Sequence, residues 1–233
     1  ASDVYKRQGY NHMHLNGFVD VISKAFLDVV IQPGQQPDER EALHSMLDHF
    51  TPDDPQKYII TADRGYESYD LLFHCEFKNL GYVFRVKSPS SPKSILSYYA
   101  SELPDDLEEF DVTIKRFFTD KATNIMKSQS DVYRYINPSK NTPHFYELLR
   151  KNHSHLYFLQ FRVVKIKTAE NTYEYLITNL PFSFTLDDIQ ECYHWRWGIE
   201  ISFRYLKHAA GLLYFHSKQP EFLKQEILSL IHI

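Results

Sequence analysis

The sequence predicts an α/β fold in which a compact core is interrupted by a strand-rich segment and then resumes on a long helix. Three observations predict it. Strand and helix patterns alternate as β-β-α-β-α-β over Asn11 to Val86. The texture changes at Ser88-Pro89-Ser90-Ser91-Pro92, after which strand patterns dominate to Phe184. From Thr185 the apolar spacing becomes helical and stays so to Ala210.

The elements follow in chain order. Asn11–Val21 alternates roughly and is rich in β-formers; Ala25–Gln32 is a second strand, ended by Pro33-Gly34. Asp38–Phe50 places Ala42, Leu43, Met46, Leu47 and Phe50 at helical spacing with acids in the first turn. Tyr58–Ala62 is a short apolar strand running into Asp63-Arg64-Gly65-Tyr66. Ser68–Leu80 reads as a helix, with Gly81 as its stop, and Tyr82–Val86 as a buried strand. Beyond the Ser/Pro tract, strands are expected at Phe110–Phe118 and Asp131–Ile136. A hairpin is expected from His155–Ile166 and Thr172–Thr178 around Ala169-Glu170-Asn171. Thr185 with Asp188 forms a capping-box start, and Gly211 is the natural stop of the last helix.

Composition bounds the function. The 233 residues carry 43% hydrophobic and 24% charged side chains, as a globular protein does. Seventeen Tyr and seventeen Phe argue for well-filled cores, and seven Gly leave no glycine-rich phosphate loop. No apolar run reaches the roughly 20 residues of a membrane span. Two cysteines, Cys75 and Cys192, cannot build a disulfide scaffold and fit a reducing compartment. A net charge of −4 excludes a globally basic nucleic-acid coat, so any DNA contact must be local.

Chemistry concentrates at two places. At about 100° per residue, Tyr193, Arg196, Glu200 and Lys207 fall within an arc of about 60° on one continuous helix. A stripe of phenol, guanidinium, carboxylate and ammonium is either a functional face or a solvated, ion-paired surface. Asp63 follows an apolar strand, so its carboxylate stands at a strand end, where it either forms a turn or does chemistry. Two carboxylates from separate elements suit Mg²⁺ or Mn²⁺, which prefer hard oxygen ligands.

Tyr193-x2-Arg196-x3-Glu200-x6-Lys207 resembles the Y-x2-R-x3-E-x6-K signature of IS4-type transposases. Trp197 and Ile199 resemble their Arg-Trp-x-Ile-Glu core. Asp63-Arg64-Gly65-Tyr66 resembles the block around the second catalytic aspartate, and Phe84-Arg85-Val86-Lys87 the strand after it. Leu212-Leu213-x2-His216-Ser217-Lys218 is similar to the segment that follows the signature.

The resemblance implies a ribonuclease-H-like core with a DDE triad, divided as 9–87, a β-rich insertion subdomain at 88–184, and a core return at 185–227. Asp63 is then the second acid and Glu200 the third, both ligands of Mg²⁺ (or Mn²⁺). The implied activity is metal-dependent DNA cleavage and strand transfer at insertion-sequence ends, by cut-and-paste. Tyr193, Arg196, Lys207, Arg64, Arg85, Lys87 and Trp197 are the implied DNA contacts, with Trp195 and Trp197 as stacking surfaces or core packing. Partners are double-stranded DNA and, for synapsis, a second copy; the compartment is the bacterial cytoplasm, at the nucleoid. Two alternatives are a related nuclease without strand transfer and a catalytically inactive DNA-binding relic.

Residues 1–8 and 228–233 resemble translated sequencing-adapter ends, so native content is expected at 9–227. The family places the first aspartate upstream of the segment matched here. Asp20 and Asp28 lie on later strands, and the chain by itself is expected to bind metal poorly and cleave nothing. Weaker features are a His12/His14 strand face, a basic cluster of Lys115, Arg116, Lys121 and Lys127, and Gly198 as a point of close backbone approach or a tolerated helix defect. Cys75 reads as core, and Cys192 has no paired base to make it a nucleophile.

Overall fold

The computed structural model describes residues 13–34, 37–137, 142–208 and 219–231. They divide into two units, residues 1–50 with 197–233, and residues 51–196.

The first unit is built on an antiparallel pair, β1 (Met13–Val19) and β2 (Phe26–Pro33). Helix α1 (Glu39–His49) follows. Its N-cap Asp38 accepts from the Arg40 and Glu41 amides, and Ala42, Leu43, Met46 and Leu47 are its buried stripe. Helices α6 (Gly198–His208) and α7 (Pro220–Ile231) complete the unit. Phe203 of α6 meets Phe26 edge-on, ring centroids 5.7 Å apart. Gly17 makes this possible: a Cβ there would lie 2.8 Å from the Phe26 ring and 3.0 Å from Phe203. The absence of one side chain thus seats α6 on the hairpin.

The second unit is a six-stranded sheet in the order β3-β4-β8-β7-β5-β6. The strands are β3 (Ile59–Ala62), β4 (Gly81–Val86), β5 (Phe110–Thr119), β6 (Tyr133–Tyr135), β7 (Leu156–Ala169) and β8 (Thr172–Thr178). β3–β4 and β5–β6 pair in parallel; the other neighbours are antiparallel. The expected strands are present, and the hairpin turns at Asn171 in the left-handed region, φ 54°. The expected boundary at 87/88 does not divide the sheet. β8 bonds to β4 from Val83↔Thr178 to Val86↔Tyr175, so the strand-rich segment continues the sheet that carries Asp63.

Side chains alternate across a strand. On one face, Phe73 of α2 (Tyr69–Phe77) packs on Phe118, Phe145 and Tyr157. On the other, α5 (Leu186–His194) lays Ile189 and Tyr193 over Val83, Val164, Ile166 and Leu176.

Two boundaries differ from expectation. Helix α2 is stopped by Asn79, not Gly81: Asn79 takes φ 55°, and the Leu80 amide bonds to the Cys75 carbonyl at 2.9 Å. Gly81 instead opens β4, where a Cβ would press on the Tyr58 carbonyl at 3.1 Å. The single helix expected from Thr185 to Ala210 is broken. Its capping box is present, but residues Trp195–Trp197 form a 3₁₀ turn between α5 and α6. A 3₁₀ turn advances about 120° per residue, so the one-helix stripe through Tyr193, Arg196, Glu200 and Lys207 does not persist. Ala210, Gly211 and the Leu212–Lys218 segment lie outside the described residues, as does His12.

Helix α4 (Pro143–Lys151), unforeseen in the sequence, buries His144, Phe145, Leu148 and Leu149. Its N-cap Thr142 makes no side-chain cap bond. Asp70 of α2 caps it instead, accepting from the His144 and Phe145 amides at 3.0 and 3.3 Å and meeting His144 Nδ1 at 2.7 Å. Among the described residues, no helix is long and apolar enough to cross a membrane. A short helix, α3 (Asn124–Ser128), lies beside β6.

Candidate active site

Strand β3 ends at Ala62, and Asp63 is the next residue, the N-cap of the 3₁₀ turn Arg64–Tyr66. Asp63 Oδ1 accepts from the Arg64 amide at 2.8 Å and from the Tyr193 hydroxyl at 3.2 Å, and lies 3.6 Å from the Arg85 guanidinium. All three contacts use Oδ1. Among the described residues no bond or ion pair reaches Oδ2, and the side chain is 42% exposed. One carboxylate oxygen is therefore held by the protein while the other stays available.

The electrostatics favour the ionised acid. Burial alone would raise the Asp63 carboxyl above its ordinary 3.8. The Arg64 amide, the Arg196 and Arg85 charges and the Tyr193 hydroxyl outweigh burial and hold it lower. Burial, with the Asp63 charge adding to it against Arg196, pushes the Tyr193 hydroxyl up to about 12, so it remains a donor at neutral pH. The Arg196 guanidinium lies 5.3 Å from the Tyr193 ring.

This ordering predicts the result of Tyr193→Phe. The variant loses one of the contacts that depress Asp63, so its titration midpoint moves upward in a ¹³C carboxyl NMR titration. The contribution is present above the unfolded value and is lost as pH falls through the lower folded value. An unmoved midpoint contradicts the assigned bond.

Beside Asp63 opens a cavity of about 360 Å³ lined by Arg64, Arg85, Lys87, Ser88, Ser91 and Glu174 among others. Arg64 is exposed at its rim. Arg85 is shared between Asp63 and Glu174, the latter at 3.1 Å. Lys87 is less free than its sequence position implied, because its ammonium lies 3.0 Å from the wholly buried Glu67 carboxylate. Glu67 also accepts from the Lys87 and Ile95 amides at 3.0 and 2.6 Å and from the Ser94 hydroxyl at 3.0 Å. One buried acid thus fixes the Ser/Pro tract against the turn that holds Asp63. The sequence offered no signal for Glu67, since a carboxylate four residues after Asp63 reads as an ordinary turn residue.

The remaining expected residues are distributed more widely. Glu200 is exposed in the first turn of α6. Lys207 falls on α6, and its side chain lies outside the described residues. Trp195 and Trp197 are both about half exposed, so neither serves as core packing. Gly198 opens α6, and a Cβ there would meet Val21 at an ordinary 3.7 Å. No close backbone approach requires this glycine.

Arg116 leaves the expected basic cluster: it is buried, paired with Glu102 and stacked at 5.3 Å on Tyr99. Lys115, Lys121 and Lys127 remain exposed. His14 lies 3.5 Å from Glu39. Cys75 is fully buried with its thiol pushed up by burial, and burial with Asp188 and Glu191 raises Cys192, so neither is an activated nucleophile.

The transposase DDE domain family matches residues 3–233. The chain belongs to that family. No curated protein matches it. Membership makes this a transposase domain of the DNA-cleaving, polynucleotidyl-transfer class, whose members generally use divalent metal ions. The mixed α/β architecture is consistent with such a domain. In this DDE domain, the acid at the end of β3 meets a phenol and a guanidinium supplied by the approach to α6.

Proposed function

We propose that this DDE domain is of the IS4 type and catalyses DNA cleavage and strand transfer at insertion-sequence ends by cut-and-paste. In this reading the core is ribonuclease-H-like, Asp63 is the second acid and Glu200 the third. The observation that carries it is the bond between Tyr193 and Asp63, 130 positions apart in the chain. The first residue of the signature and the aspartate block meet, and Arg196 adds its charge to the same acid.

The donor chemistry fits Mg²⁺ or Mn²⁺. Asp63 is a hard-oxygen ligand held ionised, with Oδ2 available. Glu200 is a second exposed carboxylate. When bound, such ions activate the attacking oxygen and stabilise the leaving 3′ oxygen.

The chain's own residues position the DNA. Arg64 and Arg85 offer planar forks to phosphates beside Asp63, and Arg196 does so next to Tyr193. Lys87 and Lys207 are point charges; Glu67 fixes the first of these. Trp197 offers an exposed ring for an extruded base, whose unstacking costs a few kcal/mol. Double-stranded transposon ends and target DNA are the partners, a homodimer forms the synaptic complex, and the compartment is the bacterial cytoplasm.

The test is a strand-transfer assay with the transposase carrying this sequence, its own terminal-repeat duplex, Mg²⁺ and a plasmid target. The expected result is cleavage at the repeat end followed by joining to the plasmid. Cleavage without joining would instead identify a nuclease. Binding with neither step would identify an inactive relic.

A further inference from the structure

On the second unit, three rings stand in a row across neighbouring strands on an open sheet face. Phe117 of β5 is directly opposite Phe158 of β7, ring centroids 5.2 Å apart. It is also paired with Tyr133 of β6, centroids 6.0 Å apart. Phe117 and Phe158 are 37% and 48% exposed, and Tyr135 continues the row at the edge. Buried, these rings would be core. Exposed side by side, they form an apolar patch on the sheet surface.

The strand period says which face this is. Phe158, Gln160, Arg162 and Val164 share one side of β7. Val164 lies under α5, which delivers Tyr193 to Asp63. The rings therefore occupy the same face as the Asp63–Tyr193 contact, about 25–30 Å away by strand spacing and rise. Phe182, 64% exposed and 4.6 Å from the Arg162 guanidinium, stands between them.

Charge decides the occupant. Lys115 projects beside Phe117 on the same face. Lys121 follows the end of β5, bonded through its backbone to Thr119, the residue paired with Tyr135. Lys127 lies on α3, next to β6. Among the described residues none of the three has an ion-pair partner. Asp120, the acid nearest the strand end, is engaged by His155 at 3.0 Å. An aromatic row bordered by free ammonium groups matches a strand of unpaired bases: rings take the bases and cations take the phosphates.

We propose that Phe117, Phe158 and Tyr133 form a stacking platform for two or three consecutive unpaired nucleobases of a DNA strand, with Lys115 and Lys121 on its phosphates. It is a site separate from the metal centre. The inference rests on DNA being the substrate, as proposed above.

The experiment compares two labelled 12-nucleotide probes of equal charge, oligo-dT and an abasic strand, by fluorescence anisotropy with the chain at fixed salt. A terminal-repeat duplex is measured alongside. The chain is expected to bind oligo-dT about tenfold or more tighter than the abasic strand. Phe117→Leu with Phe158→Leu keeps apolar bulk but removes the rings. It is expected to abolish that preference while leaving duplex binding and the far-UV spectrum unchanged. Lys115→Ala is expected to weaken both strands alike and to reduce the salt slope by about one ion.

Equal affinity for the two strands, or an undiminished preference in the double variant, overturns the platform. Sedimentation showing that the chain self-associates through these rings, with no preference for oligo-dT, overturns it in favour of a protein interface. Loss of duplex binding in the unaltered chain would count against the transposase reading itself, which separates the two failures.

Discussion

Replacing Glu200 by Gln, or Asp63 by Asn, in the transposase that carries this sequence is expected to lower DNA cleavage by at least about 10²–10³-fold with no loss of DNA affinity. Each substitution is nearly isosteric and removes one negative oxygen ligand. A metal ion's stabilisation of developing charge on the reacting oxygens contributes several kcal/mol, and each 1.36 kcal/mol is tenfold in rate. Asp63→Asn also removes the charge that Arg85 and Arg196 neutralise, so its phosphate affinity is expected to rise slightly rather than fall. Single-turnover cleavage of a pre-bound repeat end separates the chemical step from binding. Cleavage by Glu200→Gln at the unaltered rate contradicts its assignment as a metal ligand.

The largest effect on stability is expected at Asp111→Ala. Arg162 is buried, and its guanidinium pairs through Nε and a terminal nitrogen with Asp111, the former at 3.1 Å. Its other terminal nitrogen donates to the carbonyls of Pro181, Phe184 and Leu180 at 2.8, 3.0 and 3.3 Å. One cation thus gathers the loop that leads into the capping box of α5. Removing Asp111 strands that cation in the interior, which costs about 3–5 kcal/mol. For a unit of this size the loss corresponds to a fall in Tm of about 6–20 °C. Asp111→Leu combined with Arg162→Met is expected to recover only part of it, because three carbonyls then lose their donor. Calorimetry on the three proteins checks this; a cost below about 1 kcal/mol for Asp111→Ala contradicts the role assigned to the pair.

What was legible in the sequence was what is local. Asp38 and Thr185 cap their own helices, and the apolar spacing of α1 is its buried stripe. Helix α4 was missed because its cap comes from Asp70, seventy-four positions away from His144. The break at Trp195–Trp197 was hidden because the apolar pattern runs through it, and a 3₁₀ turn leaves no composition mark.

At the site, Asp63 was legible as a carboxylate at a strand end, and its partner Tyr193 only through the resemblance. Charge was legible but its use was not. Lys87 read as a DNA contact and Arg116 as part of a basic cluster, yet Glu67 and Glu102 engage them within the fold. The aromatic row was equally hidden, because Phe117, Phe158 and Tyr133 are adjacent only through β5–β7 and β5–β6 pairing.

The central proposal, that Asp63 and Glu200 are ligands of the catalytic metal, can be tested without any DNA reaction. In the transposase that carries this sequence, ferrous iron bound in place of Mg²⁺, with ascorbate and peroxide, releases hydroxyl radicals that cut the polypeptide close to the ion. The predicted result is backbone cleavage clustered around residues 63 and 200, suppressed by excess Mg²⁺ and lost in both Asp63→Asn and Glu200→Gln. Cleavage clustered elsewhere, or unchanged in those two variants, would contradict it.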